Sequence, residues 1–135
     1  KQNGGGIRQA GILTAMALVA LKENMPKLKK SHTMAKDLAQ FCEKNGIALQ
    51  LPADTNFVFL DLAENKMDPQ VLMKFAEDSN IKLMGNRISF HFQTSAQSLE
   101  IVKKVILAAF LYAKEHPYNP TGIIHTYNKK AEDNN

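Results

Sequence analysis

The chain has 135 residues, 44% apolar and 22% charged, with a formal charge of +4 at neutral pH and an isoelectric point near 9.2. That is the composition of one globular domain with a single core, and its one cysteine, Cys42, excludes an internal disulfide and a cysteine-rich metal site. The basic balance permits nucleic-acid binding, but the lysines scatter over predicted helix faces and only Lys27, Lys29 and Lys30 cluster, so neither nucleic acid nor a membrane is expected as a partner.

Lys1 to Gly11 reads Lys-Gln-Asn-Gly-Gly-Gly-Ile-Arg-Gln-Ala-Gly, with Gly4, Gly5 and Gly6 running straight into an apolar helix led by Arg8. Glycines there let another backbone or a ligand approach closely, and the free N–H groups of a helix start favour an anion. Arg8, a cation in a first turn, calls for a partner carboxylate or phosphate. The chain starts without a methionine and inside this motif, so it is expected to be a piece of something longer, and a lost targeting segment stays open. Ala10 to Leu21 is almost wholly apolar yet too short to span a bilayer, which suits a helix buried on most sides.

The first helix is predicted from about Ile7 to Asn24, with Met25-Pro26 forcing a break. A second helix follows to about Asn45, its stripe formed by Leu28, Ala35, Leu38, Ala39 and Cys42, with Gly46 placed to end it. His32 and Cys42 read as packing residues on or near that stripe. After Gly46 the period shortens. Ile47, Leu49 and Leu51 alternate, and Thr55 to Leu62 reads as a well-covered strand. Asp68-Pro69 caps and opens a short helix with Val71, Leu72, Phe75 and Ala76 inward, ended by Asn80. Ile81 to Met84 is a short predicted strand and Gly85-Asn86 a turn. Arg87 to Phe92 then alternates, with Ile88, Phe90 and Phe92 on one face and Arg87, Ser89 and His91 on the other.

Thr94 and Gln97 form a candidate capping box for the last helix. It runs to about Glu115 with Leu99, Val102, Val105, Ile106, Ala109 and Leu111 as its apolar set, and Pro117 stops it. The fold class read from this order is α/β, an α+β small domain: a small, mostly antiparallel sheet with helices on one face, preceded by a long linking helix. Three parts are expected: residues 1–24 as glycine-rich hinge and linking helix, 25–116 as the small domain, and 117–135 as a partly disordered tail. Only Arg8 and Arg87 among the 17 basic residues carry the planar fork that grips carboxylate or phosphate, which makes them the first candidates for specific chemistry.

The Lys1 to Gly11 motif resembles the triple-glycine, Arg-Gln-x-Gly signature of low-specificity L-threonine aldolases, pyridoxal-phosphate enzymes of the aspartate-aminotransferase fold (fold type I). Similarity continues in register through Ala20-Leu21, Leu28 to Lys36, Thr55-Asn56-Phe57-Val58-Phe59 and Arg87-Ile88-Ser89-Phe90-His91, covering roughly Lys1 to Ala113. The resemblance implies a C-terminal part of such a lyase. The Schiff-base lysine and the other groups on the pyridoxal 5'-phosphate ring would lie upstream in a missing large domain, and no residue of this chain would be catalytic. It implies that Arg87 binds the substrate carboxylate, with Lys1 beside it, and that Gly5, Gly6, Arg8 and His91 lie near the pocket.

The resemblance further implies cleavage of L-threonine or L-allo-threonine to glycine and acetaldehyde, a homotetramer, and a cytoplasmic place in amino-acid metabolism and glycine biosynthesis. It implies no metal. Fixing the carboxylate decides which bond at Cα stands ready to break. Two alternatives stay open: the small domain of another fold-type I enzyme, a transaminase or β-eliminating lyase, or a stand-alone non-catalytic α/β interaction module.

Overall fold

The computed structural model describes Gly6 and residues 10–119. Lys1, Gly5 and Arg8 lie outside the described residues, as does the tail beyond residue 119, where disorder was expected. In order come α1 (Ala10–Lys44), β1 (Phe57–Phe59), α2 (Pro69–Asp78), β2 (Arg87–Ser89) and α3 (Ala96–Glu115). β1 and β2 form a two-stranded antiparallel ribbon with the helices on one face, a small α+β arrangement.

The expected break at Met25-Pro26 is absent: α1 runs through Pro26 for 35 residues, about 52 Å. Proline removes one helical N–H and crowds the carbonyl four residues back, at about 3 kcal/mol. Restarting the helix instead calls for a fresh N-cap. Asn24, the nearby capping residue, has its Oδ1 accepting from Lys27 Nζ at 3.0 Å.

The two ends of α1 differ. Ser31, Met34, Ala35, Leu38 and Cys42 face the core, whereas Leu28, expected on that stripe, is exposed because contact with the core starts only at Ser31. From Ile12 to Leu28 the large apolar side chains are 42% to 72% exposed. At 100° per residue, Ile12, Met16 and Val19 point one way and Leu18, Leu21 and Met25 roughly the opposite way. No described helix is long and apolar enough to cross a membrane.

The core joins Val58, Leu60, Ile88 and Phe90 of the ribbon to Leu72 and Ala76 of α2 and to the inner stripe of α3. That stripe carries Leu99, Val102, Val105, Ile106 and Ala109 as read from the sequence, then Phe110 and Ala113. Leu111, five positions past Ile106 and so off the stripe, is 53% exposed. Asp68 caps α2, its Oδ1 accepting from Gln70 N–H at 2.8 Å, and Asn80 takes the left-handed φ of 59° just past the helix end. At α3 the cap is Ser95, which accepts from Ser98 N–H at 3.0 Å. Thr94 does not form the expected capping box; its Oγ1 accepts from His91 N–H instead.

Two predicted strands shrink to single bridges, Leu49 with Leu60 and Met84 with Arg87. In the first, Asn65 stands in for a neighbouring strand: its Oδ1 accepts from Ala48 N–H at 2.8 Å, and its Nδ2 donates to Ala48 O at 2.9 Å. In the second, the Ile81 N–H is taken by Ala76 O at the end of α2.

Cys42 is fully buried, and burial pushes its thiol pKa up from 9.0 to about 11. The folded chain therefore keeps its proton to higher pH than the unfolded one. Stability contributed by the neutral thiol is fully present below pH 9 and falls by about 1.4 kcal/mol per pH unit between about 9 and 11. Urea midpoints should show this decline, and Cys42→Ala should flatten it. At pH 8 the native thiol should alkylate only as fast as the core opens.

Candidate functional site

The alternation read along β2 is the one observed: Ile88 and Phe90 are buried, while Arg87, Ser89 and His91 are exposed. What the ribbon adds is the opposite strand. Phe57 pairs with Ser89, Val58 with Ile88 and Phe59 with Arg87, so Phe57 and Phe59 share the outer face with Arg87 and Ser89. The two rings sit 6.2 Å apart, both half-buried. Arg87 lies over the diagonal neighbour, its Cζ 5.5 Å from the Phe57 ring centroid.

Both ends of β2 are tied down. Before Arg87, Gly85 takes a left-handed φ of 72°, which suits glycine, and Asn86 Nδ2 donates to Gln50 Oε1 at 3.0 Å and to Leu60 O at 3.1 Å. Past Ser89, Asn56 Nδ2 donates to Phe90 O at 2.8 Å, and Phe90 N–H donates to Asn56 O at 2.9 Å. α1 adds a further tie at the strand exit: Lys30 Nζ donates to Phe92 O, and Lys27 Nζ lies 5.2 Å from the Phe92 ring centroid. Two of the three clustered lysines thus serve a packing contact.

Arg87 has no ion pair among the described residues, where the ion pairs belong to Lys103 with Asp37 and Glu100. Its open fork is suited to gripping a carboxylate through two parallel hydrogen bonds. Beside it lies a groove of about 240 Å³ whose walls include Leu83, Met84, Ser89, Thr94 and Ser98. His91 does not line this groove. Its ring packs at 4.2 Å on Phe92 beyond the end of β2, and its hydrogen bonds among the described residues are made by its backbone, the N–H to Thr94 Oγ1 and the carbonyl from Thr94 N–H. Gly6 is exposed, with open space around it among the described residues, and Lys1, Gly5 and Arg8 are outside them.

The described residues do not fit a pyridoxal-phosphate cradle. Every described lysine but Lys103 is exposed. Lys103 is hydrogen-bonded to Glu100 at 2.8 Å and paired with Asp37 at 3.0 Å, and these contacts, Glu100 foremost, hold its pKa above the ordinary lysine value. Carbonyl chemistry needs a neutral amine, so Lys103 is unsuited to it. No cluster of potential metal ligands occurs among the described residues.

The sequence profile of the beta-eliminating lyase family matches residues 1–65. The chain is 49% identical to the low-specificity L-threonine aldolase of Eremothecium gossypii over 134 residues, which is 98% of this chain and 35% of that protein. Against the low-specificity L-threonine aldolase of Saccharomyces cerevisiae the identity is 48% over the same shares. Against that of Candida albicans it is 50%, over 90% of this chain and 33% of the relative. The chain is similar over nearly its whole length to low-specificity L-threonine aldolases.

It spans about a third of the length of these aldolase relatives. Within that third, the sequence places Arg87 on the outer face of its strand but does not place Phe57, Phe59, Asn56 and Asn86 around it. Thr55 to Leu62 reads in the sequence as a well-covered strand, with no outer face assigned to the phenylalanines. The signal available was pairing: a second alternating strand with a polar outer face has to lay that face beside someone's side chains.

Proposed function

We propose that this chain is the C-terminal portion of a pyridoxal-phosphate-dependent low-specificity L-threonine aldolase, cleaving L-threonine and L-allo-threonine to glycine and acetaldehyde, and that Arg87 is its substrate-carboxylate anchor. The observation that carries the reading is an unpaired arginine fork over an aromatic floor, in a chain about half identical to those aldolases. Breaking Cα–Cβ rather than another bond at Cα requires one fixed orientation of the amino acid. A bidentate grip on the carboxylate fixes two of its atoms at once. The cofactor is assigned to the rest of the protein, since no described residue here builds a site for it.

The exposed apolar half of α1 supports the same reading. Side chains such as Met16 and Leu18 on opposed sides of a helix need cover from more than one direction, which the remaining two-thirds of the protein and a second subunit supply in a cytoplasmic homo-oligomer. The test is product analysis. The full-length protein should release glycine and acetaldehyde from L-threonine, and the 135-residue chain alone should release neither and keep no cofactor absorbance after dialysis. Ammonia and a keto acid in place of glycine would overturn the aldolase reading in favour of β-elimination. Activity in the chain alone would overturn the division of labour.

A further inference from the structure

Arg87 is exposed, carries a long flexible side chain and has no hydrogen bond or ion pair from its guanidinium among the described residues. A free guanidinium of that kind samples many rotamers, and a bidentate grip requires one of them. Only one described group narrows the choice. The Phe57 ring lies under Cζ at 5.5 Å, within the range at which a cation is attracted to an aromatic face. Phe57 is itself held: it is half-buried, in register with Ser89, and flanked by Phe59 at 6.2 Å.

We infer that Phe57 is a positioning residue for Arg87, holding the guanidinium over its ring so that the N–H edges stay open toward the substrate carboxylate. This rests on the carboxylate-anchor reading of Arg87. An aromatic face is suited to the task because it attracts the cation without consuming a donor, whereas a carboxylate partner in the same place would occupy the fork itself. The register assigns the role to Phe57 rather than Phe59. Phe59 stands directly opposite Arg87, but the guanidinium reaches across the diagonal to Phe57.

The test is a thermodynamic cycle in the full-length protein, with Phe57→Leu, Phe57→Tyr, Phe59→Leu, Arg87→Ala and the double variant Phe57→Leu/Arg87→Ala. Phe57→Leu should raise KM for L-threonine about two- to fivefold, with a smaller fall in kcat, from the strength of an exposed cation–π contact. Phe57→Tyr, which keeps the ring, should restore KM, and Phe59→Leu should leave it near the parent value. In the Arg87→Ala background Phe57→Leu should change KM by less than about 1.5-fold, because the group it positions is gone. If Phe57→Leu lowers the melting temperature, Phe57→Met, whose unbranched side chain adapts better to the space left by the ring, reads the same cycle.

An equal KM effect in the presence and absence of Arg87, or equal effects from Phe57→Leu and Phe59→Leu, would overturn the inference and leave the anchor reading standing. Arg87→Ala with unchanged kcat/KM would overturn the anchor reading itself.

Discussion

Arg87→Ala in the full-length protein should lower kcat/KM for L-threonine by about two orders of magnitude or more. Hydrogen bonds to charged groups are worth roughly 1.5 to 3 kcal/mol each, and a bidentate grip holds two, so losing both costs at least the ~2.7 kcal/mol that separates rates a hundredfold. Arg87→Lys keeps the charge and loses the fork, and should fall between alanine and the parent. The split between parameters is informative. Loss of binding alone raises KM, while loss of orientation lowers kcat as well, and both are expected here. Folding should be little affected, because Arg87 is exposed and takes part in no ion pair among the described residues. Cofactor absorbance should be retained, since the cofactor is assigned to the rest of the protein. Near-parent kcat/KM with an intact fold would show that the outer face of the ribbon is solvent surface.

Asn65→Ala should destabilise the fold by about 2 to 4 kcal/mol, the largest stability effect expected from any single polar side chain described. Asn65 is only 8% exposed. Its amide accepts from Ala48 N–H and donates to Ala48 O and to Asp61 O, the last at 2.6 Å. Alanine removes all three bonds and leaves the Ala48 N–H without a partner, so the loss includes the cost of an unmet backbone donor as well as the bonds themselves. Asn65→Asp keeps the acceptor for Ala48 N–H but sets a carboxylate against two carbonyl oxygens, and should be at least as damaging at neutral pH. Urea denaturation of both variants checks this, with an unchanged midpoint for Asn65→Ala excluding the role.

The contrast between these two residues shows what the sequence made legible. The outer-face position of Arg87 was legible because it follows from a period-two alternation, a local property of the chain, and its rarity among the basic residues singled it out as a candidate. α2 was found because Asp68-Pro69 is a local start signal, and α3 because its 3.6-residue stripe is long. Asn65 sends no such signal. Its partners are 17 residues away at Ala48 and across a turn at Asp61, and an asparagine in a turn looks the same whether it faces solvent or replaces a strand. The ribbon failed to be read in the same way. Phe57 and Phe59 belong to the outer face with Arg87 only once the register of β1 on β2 is known. Pro26 misled for a different reason: a local breaker was outweighed by strong helix formers on both sides and by the absence of a working cap.

Pro26 also divides α1 mechanically. Without an N–H at Pro26, one rung of the helical ladder is missing, and bending is easiest there. Downstream, Ser31 to Cys42 is locked into the core. Upstream, Ala10 lies about 24 Å away along the axis. That upstream rod is a lever arm with its fulcrum beside the lysines that touch Phe92. A bend of about 5° at Pro26 swings Ala10 by about 2 Å and leaves the locked half where it is. The compliant joint lets whatever grips the outer half shift against the small domain without dragging β2 along, so that Arg87 keeps its place while the arm moves.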